Sequence, residues 1–172
     1  APHTTHTHTG PAIGTWGHCA YDMPPDPVYV DRVADALVGA ALEAREAARP
    51  VTLRAGATET GIPVSRRRVD EEGHAHWAPD PDAPAHRHLP VCLLEGEDGE
   101  PVAVLFSVSC HPSTIRAETI SAGYPGEACA RLDAELGRHC AVFLQGVGGD
   151  SKPRQIAAED HWDSGPWEAV EE

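Results

Sequence analysis

The run Val102-Ala-Val-Leu-Phe-Ser-Val-Ser-Cys110 is followed directly by His111-Pro112-Ser113. Its apolar and β-branched residues predict a buried central strand. Because Pro112 prevents the strand from continuing, His111 is expected at the strand end, where α/β sheets usually place their site residues. Taken alone, His111 is equally explained as a hydrogen-bonded structural histidine.

Further strands are predicted around this run, at residues 51–60, 90–95 and 139–145. The turn Gly96-Glu97-Asp98-Gly99 predicts a hairpin between residues 90–95 and 101–110, since Asp-Gly favours tight hairpin turns.

Helices are predicted on either side of these strands. Asp26-Pro27 is a good helix start, apolar residues recur at helical spacing to about Ala48, and Pro50 ends the pattern. Pro125 opens a shorter helix that ends near Gly137, and residues 12–26 form a loop. We therefore expect an α/β domain with a mixed sheet flanked by helices. The helix of residues 27–48 should cover a sheet face, and the strand ends after residues 5, 110 and 145 should share one sheet edge.

A second notable stretch, His6-Thr7-His8-Thr9-Gly10-Pro11, lies close to the first residue. On a strand, residues two apart point to the same face, so the His6 and His8 rings would lie side by side. Gly10 and Pro11 then end the strand. Paired imidazoles favour a zinc site, because neutral imidazole is the commonest protein ligand of zinc. A polar edge strand or a tag remnant is the competing interpretation.

Composition limits the function classes. The chain has 172 residues, one domain's length, and a net charge of -14 from 27 acidic and 13 basic residues, which argues against nucleic acid as a partner. No apolar run is long enough to cross a membrane. The five cysteines are odd in number and form no C-x-x-C pair, so they are expected to be buried, reduced thiols. The chain begins without Met or a signal peptide; we expect a piece cut at both ends, which leaves the compartment open.

Three further features bear on the predicted site. The run Arg66-Arg67-Arg68 is either a solvated turn beside acidic residues or a contact for an anionic or polar substrate group. Four histidines lie in a Pro-rich linker and are expected to stay peripheral: His74, His76, His86 and His88. The glycines Gly146, Gly148 and Gly149 lack P-loop order, so we expect them to allow a tight backbone approach to a site, at least one with positive φ.

Taken in order, these motifs resemble the N-terminal catalytic domain of the neutral/alkaline non-lysosomal ceramidase family. They are H-T-H-T-G-P at 6–11, the Arg-rich turn, C-H-P-S at 110–113, A-G-Y-P-G at 122–126 and F-L-Q-G-V-G-G-D-S-K-P-R at 143–154. The resemblance extends from position 4 to 154. It implies a zinc-dependent amidohydrolase that cleaves the N-acyl amide bond of ceramide-like lipids.

The resemblance also implies roles for individual residues. His6 and His111 match zinc ligands, and His8 matches a second histidine close to the metal. One Arg of the run matches a substrate-contacting arginine; the match favours Arg67, with Arg66 as the second choice. Asp150 and Ser151 fall in the Gly-Asp-x-Ser-Pro element and are expected, with His8, to be catalytic. Asp150 or His8 would take a proton or orient a ligand.

The chain departs from the family pattern in three ways, of which the first concerns the active-site serine. The family places its active-site Ser directly before Pro, where this chain has Lys152 before Pro153, so Ser151 is one position early. The family's Glu and Tyr zinc ligands lie downstream and have no counterpart here, and Thr9 replaces the usual Ser.

The expected partner is a lipid-like N-acyl substrate, with peripheral membrane contact in the full protein. Two alternatives stay open: a zinc hydrolase of the same fold that acts on another amide or ester, and a catalytically inactive binding homologue. With its partial ligand set, the fragment alone is expected to bind metal weakly and to turn over no substrate.

Overall fold

The structure is a computed structural model that describes residues 2–14, 24–116 and 119–165. Most of the predicted 12–26 loop, with Trp16, His18 and Cys19, lies outside these ranges. The other four cysteines are free thiols. Cys110 and Cys140 are buried as predicted, whereas Cys92 and Cys129 are only partly buried.

Helix α1 spans Pro27–Glu46 and begins as predicted. The Asp26 carboxylate accepts a hydrogen bond from the Val28 backbone amide at 2.9 Å, and Pro27 takes the first helical position. None of the helix residues is buried, and Leu37 and Leu42 are half exposed. The prediction that this helix covers a sheet face is therefore wrong. An amphipathic pattern determines which helix face is apolar, but not which element covers it.

The strands follow in chain order as β1 Thr52–Glu59, β2 Pro63–Ser65, β3 Arg68–Val69, β4 Ala75–His76, β5 His88–Glu95, β6 Pro101–Val108, β7 Ala141–Gln145 and β8 Ser151–Pro153. Within the described ranges, the main sheet has the order β1-β5-β6-β7. β1 pairs with β5 and β5 with β6 in antiparallel fashion, whereas β6 and β7 run parallel. The predicted mixed α/β fold and the 90–110 hairpin are confirmed.

Helix α2, Gly123–Leu136, connects β6 to the parallel β7. Gly137 ends it with a φ of 66°, the left-handed conformation that glycine adopts without a steric cost. The Asp133 carboxylate then accepts hydrogen bonds from the Cys140 and Ala141 amides at 2.9 and 2.8 Å. Because β6 and β7 run parallel, residues after 108 and after 145 meet at one edge of the sheet.

A second, two-stranded sheet brings the arginine run to the same edge. β2 and β8 pair in antiparallel fashion, with Ser65 opposite Ser151. Directly beyond β2, the Arg66 amide donates to the Asp150 carbonyl at 2.9 Å. This pairing places Arg66 beside residues 150–152, although more than eighty positions separate them in the chain.

The core beneath this edge is small. Val108, Cys110 and Phe143 form its centre, and Phe106 and Tyr124 pack around them. Tyr124 also donates its hydroxyl hydrogen to the Cys110 carbonyl at 3.0 Å. Among the described residues, no helix has the length and apolar character that crossing a bilayer requires.

Candidate metal centre

Three imidazoles converge at the shared strand edge. His6, His8 and His111 have ring centroids 4.6 to 5.2 Å apart, and one nitrogen from each ring lies within 4.8 Å of the others. In the part of the chain that the structure describes, no other group of three metal-ligating side chains meets this distance. The predicted convergence of these three histidines is thus present in the structure.

His111 is held by the loop that follows β7 and by the first residue of β8. Its amide donates to the Ser151 carbonyl at 3.1 Å, and its Nδ1 lies 2.7 Å from the Gly148 carbonyl oxygen. Because a carbonyl only accepts, Nδ1 carries the ring hydrogen and Nε2 keeps its lone pair. Burial, ahead of the nearby positive groups, lowers the pKa of His111 to about 4. The neutral ring with a free Nε2 is the form that binds metals.

The segment that carries His6 and His8 is not a strand. Residues 2–7 have no regular structure, and His6 has a φ of 59°, which is uncommon outside glycine. The predicted mechanism, same-face projection from a strand, is therefore wrong. The left-handed turn at His6 brings the two rings together instead.

Hydrogen bonds to distant backbone groups hold this segment. The Thr7 and Thr9 hydroxyls donate to the Ser121 carbonyl at 3.2 and 2.8 Å, and the Ser121 amide donates to the Thr9 carbonyl. Near the first residue, His3 Nε2 accepts from the Gln145 amide at 2.7 Å, at the end of β7. The Thr and His residues around His6 thus position the segment.

The spacing of the histidines fits a small cation. His6 Nε2 and His111 Nε2 are 3.0 Å apart. Two nitrogens on a tetrahedral zinc are about 3.3 Å apart when each Zn–N bond is about 2.0 Å, so only a slight opening is needed. The pKa of His8 is lowered by burial first, and then by His6, Lys152 and Arg66. The donor set, three imidazoles, suits zinc and other transition metals.

Of the arginine run, Arg66 lies against the histidines. Its Nη1 is 3.3 Å from His111 Nε2, and its Cζ lies 4.6 Å from the Trp77 ring centroid. Burial and the charge of Arg67 lower the Arg66 pKa, while Asp150 raises it. Arg67 is exposed and also stacks on Trp77, at 4.7 Å. Arg68 instead donates to the Pro79 and Glu159 carbonyls, which is a structural role.

The residues from 150 to 152 differ sharply in exposure. Asp150 is exposed. Ser151 is 1% exposed, and its hydroxyl donates to the Ser109 carbonyl at 2.7 Å, which is the arrangement of a structural serine. The structure therefore gives no support to the prediction that Ser151 is catalytic. Lys152 is 9% exposed, and its Nζ lies 5.8 Å from Trp77 and 5.4 Å from Trp162.

The glycine-rich turn approaches the site closely, but without the expected backbone angle. None of Gly146, Gly148 and Gly149 has positive φ, so that prediction is wrong. The close approach is present, because a Cβ on Gly146 would lie 2.6 Å from Ser109 Oγ and one on Gly148 would lie 2.8 Å from the Cys110 carbonyl carbon. Gly148 can thus present its carbonyl to His111.

The linker histidines stay outside the cluster, as predicted. His74 and His76 lie 3.6 and 2.6 Å from the Asp70 carboxylate at the surface. His86 Nδ1 lies 2.9 Å from Ser109 Oγ, and His88 begins β5.

An open cleft of about 590 Å³ adjoins the histidines. His8, Trp77, Lys152 and Trp162 are among the residues that line it. Sequence reasoning missed both tryptophans: Trp77 follows the second linker H-x-H, and Trp162 lies in the acidic segment after β8. The one feature of the sequence that could have identified them is that each is a large aromatic residue in a polar segment.

Comparison with known proteins gives a likeness of fold. No family model matches the chain, and no curated relative matches its sequence. The neutral ceramidase of Pseudomonas aeruginosa is similar with a TM-score of 0.66 and 19% identity, over 87% of this chain and 25% of that one. A ceramidase complexed with C2 gives 0.67 and 19%, over 87% and 24%. The chain thus shares the fold of part of these ceramidases and spans about a quarter of their length, which confirms the resemblance at the level of fold.

Proposed function

We propose that this chain carries part of the active site of a zinc-dependent amidohydrolase that cleaves the N-acyl amide bond of ceramide-like lipids. The observation that carries the proposal is the convergence of three imidazoles at the sheet edge, with ligand nitrogens within 4.8 Å of one another. The ceramidase fold supports the same reaction class by analogy.

His6 and His111 would hold the metal, which when bound supplies Lewis acidity to polarise the scissile carbonyl and to acidify a water molecule. His111 is oriented for this role by its Nδ1 bond to Gly148. His8 has a lowered pKa, so its neutral ring can complete the ligand set or accept a proton.

Arg66 is the arginine placed to meet the substrate. Its guanidinium adjoins His111 and is held over Trp77, so its remaining N–H groups can donate to an oxygen of the substrate. Arg67 shares the Trp77 ring and is the more exposed of the two. Both arginines therefore remain in the proposed substrate-binding set, with Arg66 nearer the metal.

The lipid-like substrate and the peripheral membrane contact stay predictions, as do the extent of the catalytic domain and weak metal binding by residues 1–172 alone. A second candidate, a zinc hydrolase of the same fold that acts on another amide, is favoured by one observation. Lys152 lines the cleft at the position where the resemblance places an active-site serine.

The test uses the full-length protein with its metal removed by a chelator and then restored with zinc. Hydrolysis of N-acylsphingosine and of other N-acyl amides is followed by release of the fatty acid. We expect hydrolysis to disappear with the metal and to return with zinc. Stoichiometric zinc without hydrolysis of any amide would contradict the amidase, and absence of both zinc and hydrolysis would identify an inactive homologue.

A further inference from the structure

We infer that Lys152, Arg66 and Arg67 form a cationic subsite around Trp77 that binds a carboxylate next to the scissile amide of the substrate. The substrate class is then an N-acyl amide whose amine half is anionic, such as an N-acyl amino acid. This inference rests on the second candidate function, hydrolysis of an amide other than that of ceramide, because the amine half of a ceramide carries no anionic group. The binding of the anion is testable without hydrolysis.

The first step is the charge of the three residues. The chain has 27 acidic and 13 basic residues, so carboxylates are in excess as partners for a basic side chain. Arg54, Arg131 and Arg138 do so, each within 4 Å of a Glu oxygen. Among the described residues, no carboxylate lies within that distance of the three subsite cations. Asp150 influences Arg66 electrostatically, but it forms no ion pair with it.

The second step is the way in which the cations are held. The Cζ atoms of Arg66 and Arg67 lie 4.6 and 4.7 Å from the Trp77 ring centroid, and Lys152 Nζ lies 5.8 Å from it. Trp162 lies 5.4 Å from the same Nζ. Contacts with a ring face hold a cation without using its N–H donors. Arg66 Nη1 lies 3.3 Å from His111 Nε2 and Arg67 Nη1 donates to the Arg66 carbonyl at 3.3 Å, and the other N–H donors remain available to a ligand.

The third step is a set of buried polar groups without partners. Arg66 Nε, Trp162 Nε1 and Ser113 Oγ are buried and make no hydrogen bond to the described protein. Ser113, Trp162 and the 9%-exposed Lys152 line the cleft that also contains His8. Arg66 is not part of the cleft lining, but it lies over the Trp77 ring, which is. Buried donors in proteins are nearly always satisfied, so the unpaired groups of Ser113 and Trp162 in the cleft, with Arg66 Nε next to it, indicate a ligand that brings acceptor oxygens.

An anionic oxygen ligand matches these donors better than a neutral group. Guanidinium and ammonium groups form their strongest hydrogen bonds with charged oxygens, so a neutral hydroxyl would leave the cations uncompensated. We assign the anion as a carboxylate, and phosphate is the competing anion in the test. Because His8 lines the same cleft, the carboxylate would lie beside the amide that the histidines face.

The experiment measures binding to the metal-free full chain by titration calorimetry. The probes are N-lauroylglycine and N-lauroylglycinamide, which differ only in the charge of the carboxyl group, with inorganic phosphate as a third ligand. We expect the carboxylate to bind at least tenfold more tightly than the amide, and added NaCl to reduce that preference. Equal binding of the two acyl ligands would overturn the inference, as would a preference for phosphate.

Substitutions test which residues cause the preference for the carboxylate over the amide. Lys152→Met keeps the length of the side chain and removes its charge, so the tenfold preference should largely disappear, while Lys152→Arg should retain most of it. Arg67→Met tests the same subsite at an exposed position where folding is not at risk. The control is Arg54→Met, which removes one charge from a surface pair with Glu95 and should leave the preference intact. A preference that survives both Lys152→Met and Arg67→Met would contradict the subsite.

The two proposals can fail separately. Charge preference in the metal-free protein without hydrolysis in the zinc-loaded protein would leave the subsite standing and remove the amidase. Hydrolysis of neutral N-acyl amides without any charge preference would do the reverse.

Discussion

At the scale of single residues, the position of Arg66 predicts that it competes with a metal for His111. Its Nη1 lies 3.3 Å from His111 Nε2 and can donate into the lone pair that a metal requires. Arg66→Met removes both this donor and a positive charge, so we expect zinc to bind several-fold more tightly and substrate to bind more weakly. Competition with a chromophoric chelator measures the first effect. Arg54→Met is the charge-matched control, and weaker zinc binding in Arg66→Met would contradict this role.

Ser151 allows a second test at the same scale. Its buried hydroxyl donates to the Ser109 carbonyl at 2.7 Å, so Ser151→Ala should lower the free energy of unfolding by about 1 to 3 kcal/mol. Denaturant titration measures this change. Zinc content and hydrolysis per folded molecule should stay near those of the unaltered protein. Loss of hydrolysis at unchanged stability would restore the predicted catalytic role of Ser151.

At the scale of elements, the loop after β7 positions the His111 ring. A Cβ on Gly148 would lie 2.8 Å from the Cys110 carbonyl carbon, so Gly148→Ala should push the loop away and withdraw its carbonyl from Nδ1. We expect lower stability and at least tenfold weaker zinc binding, because such hydrogen bonds to metal ligands typically contribute about 10- to 100-fold to affinity. Gly149→Ala is the matched control, since a Cβ there would meet nothing within 4 Å. Equal zinc affinity in both variants would contradict the positioning role.

The same scale separates what the sequence could predict from what it could not. The Asp26 cap, the Asp98-Gly99 hairpin and the strand that leads to His111 were predictable, because local signals determine them. The path of residues 2–9 was not, because it depends on hydrogen bonds to Ser121 and Gln145, more than a hundred positions away.

Contacts between side chains could not be predicted from the sequence either. The resemblance favoured Arg67 over Arg66, yet the pairing of β2 with β8 turns Arg66 toward His111. The role of Trp77 follows only from the structure, in which its ring lies beneath both arginines. Such contacts depend on strand register, which no local pattern specified here.

At the scale of the whole molecule, acidification should weaken the metal-free fold through His111. Burial depresses its pKa from the usual 6.5 to about 4, so below 6.5 the unfolded chain takes up a proton that the folded ring resists. The contribution of the neutral ring is present above pH 6.5 and is lost as the pH falls toward 4. Urea unfolding of the protein and of His111→Gln across this range should show a steeper loss in the former. Parallel curves would contradict the shift.

The central claim is that His6 and His111 bind zinc in the full-length protein. The most direct measurement is the zinc content of the purified protein by plasma mass spectrometry, for the unaltered chain, His6→Ala, His111→Ala and the linker control in which His74 and His76 are both replaced by Ala. The account predicts about one zinc per molecule in the unaltered protein and the control, and almost none in His6→Ala or His111→Ala, because a tetrahedral site that loses a ligand loses affinity and geometry together. Stoichiometric zinc in both single variants would contradict it.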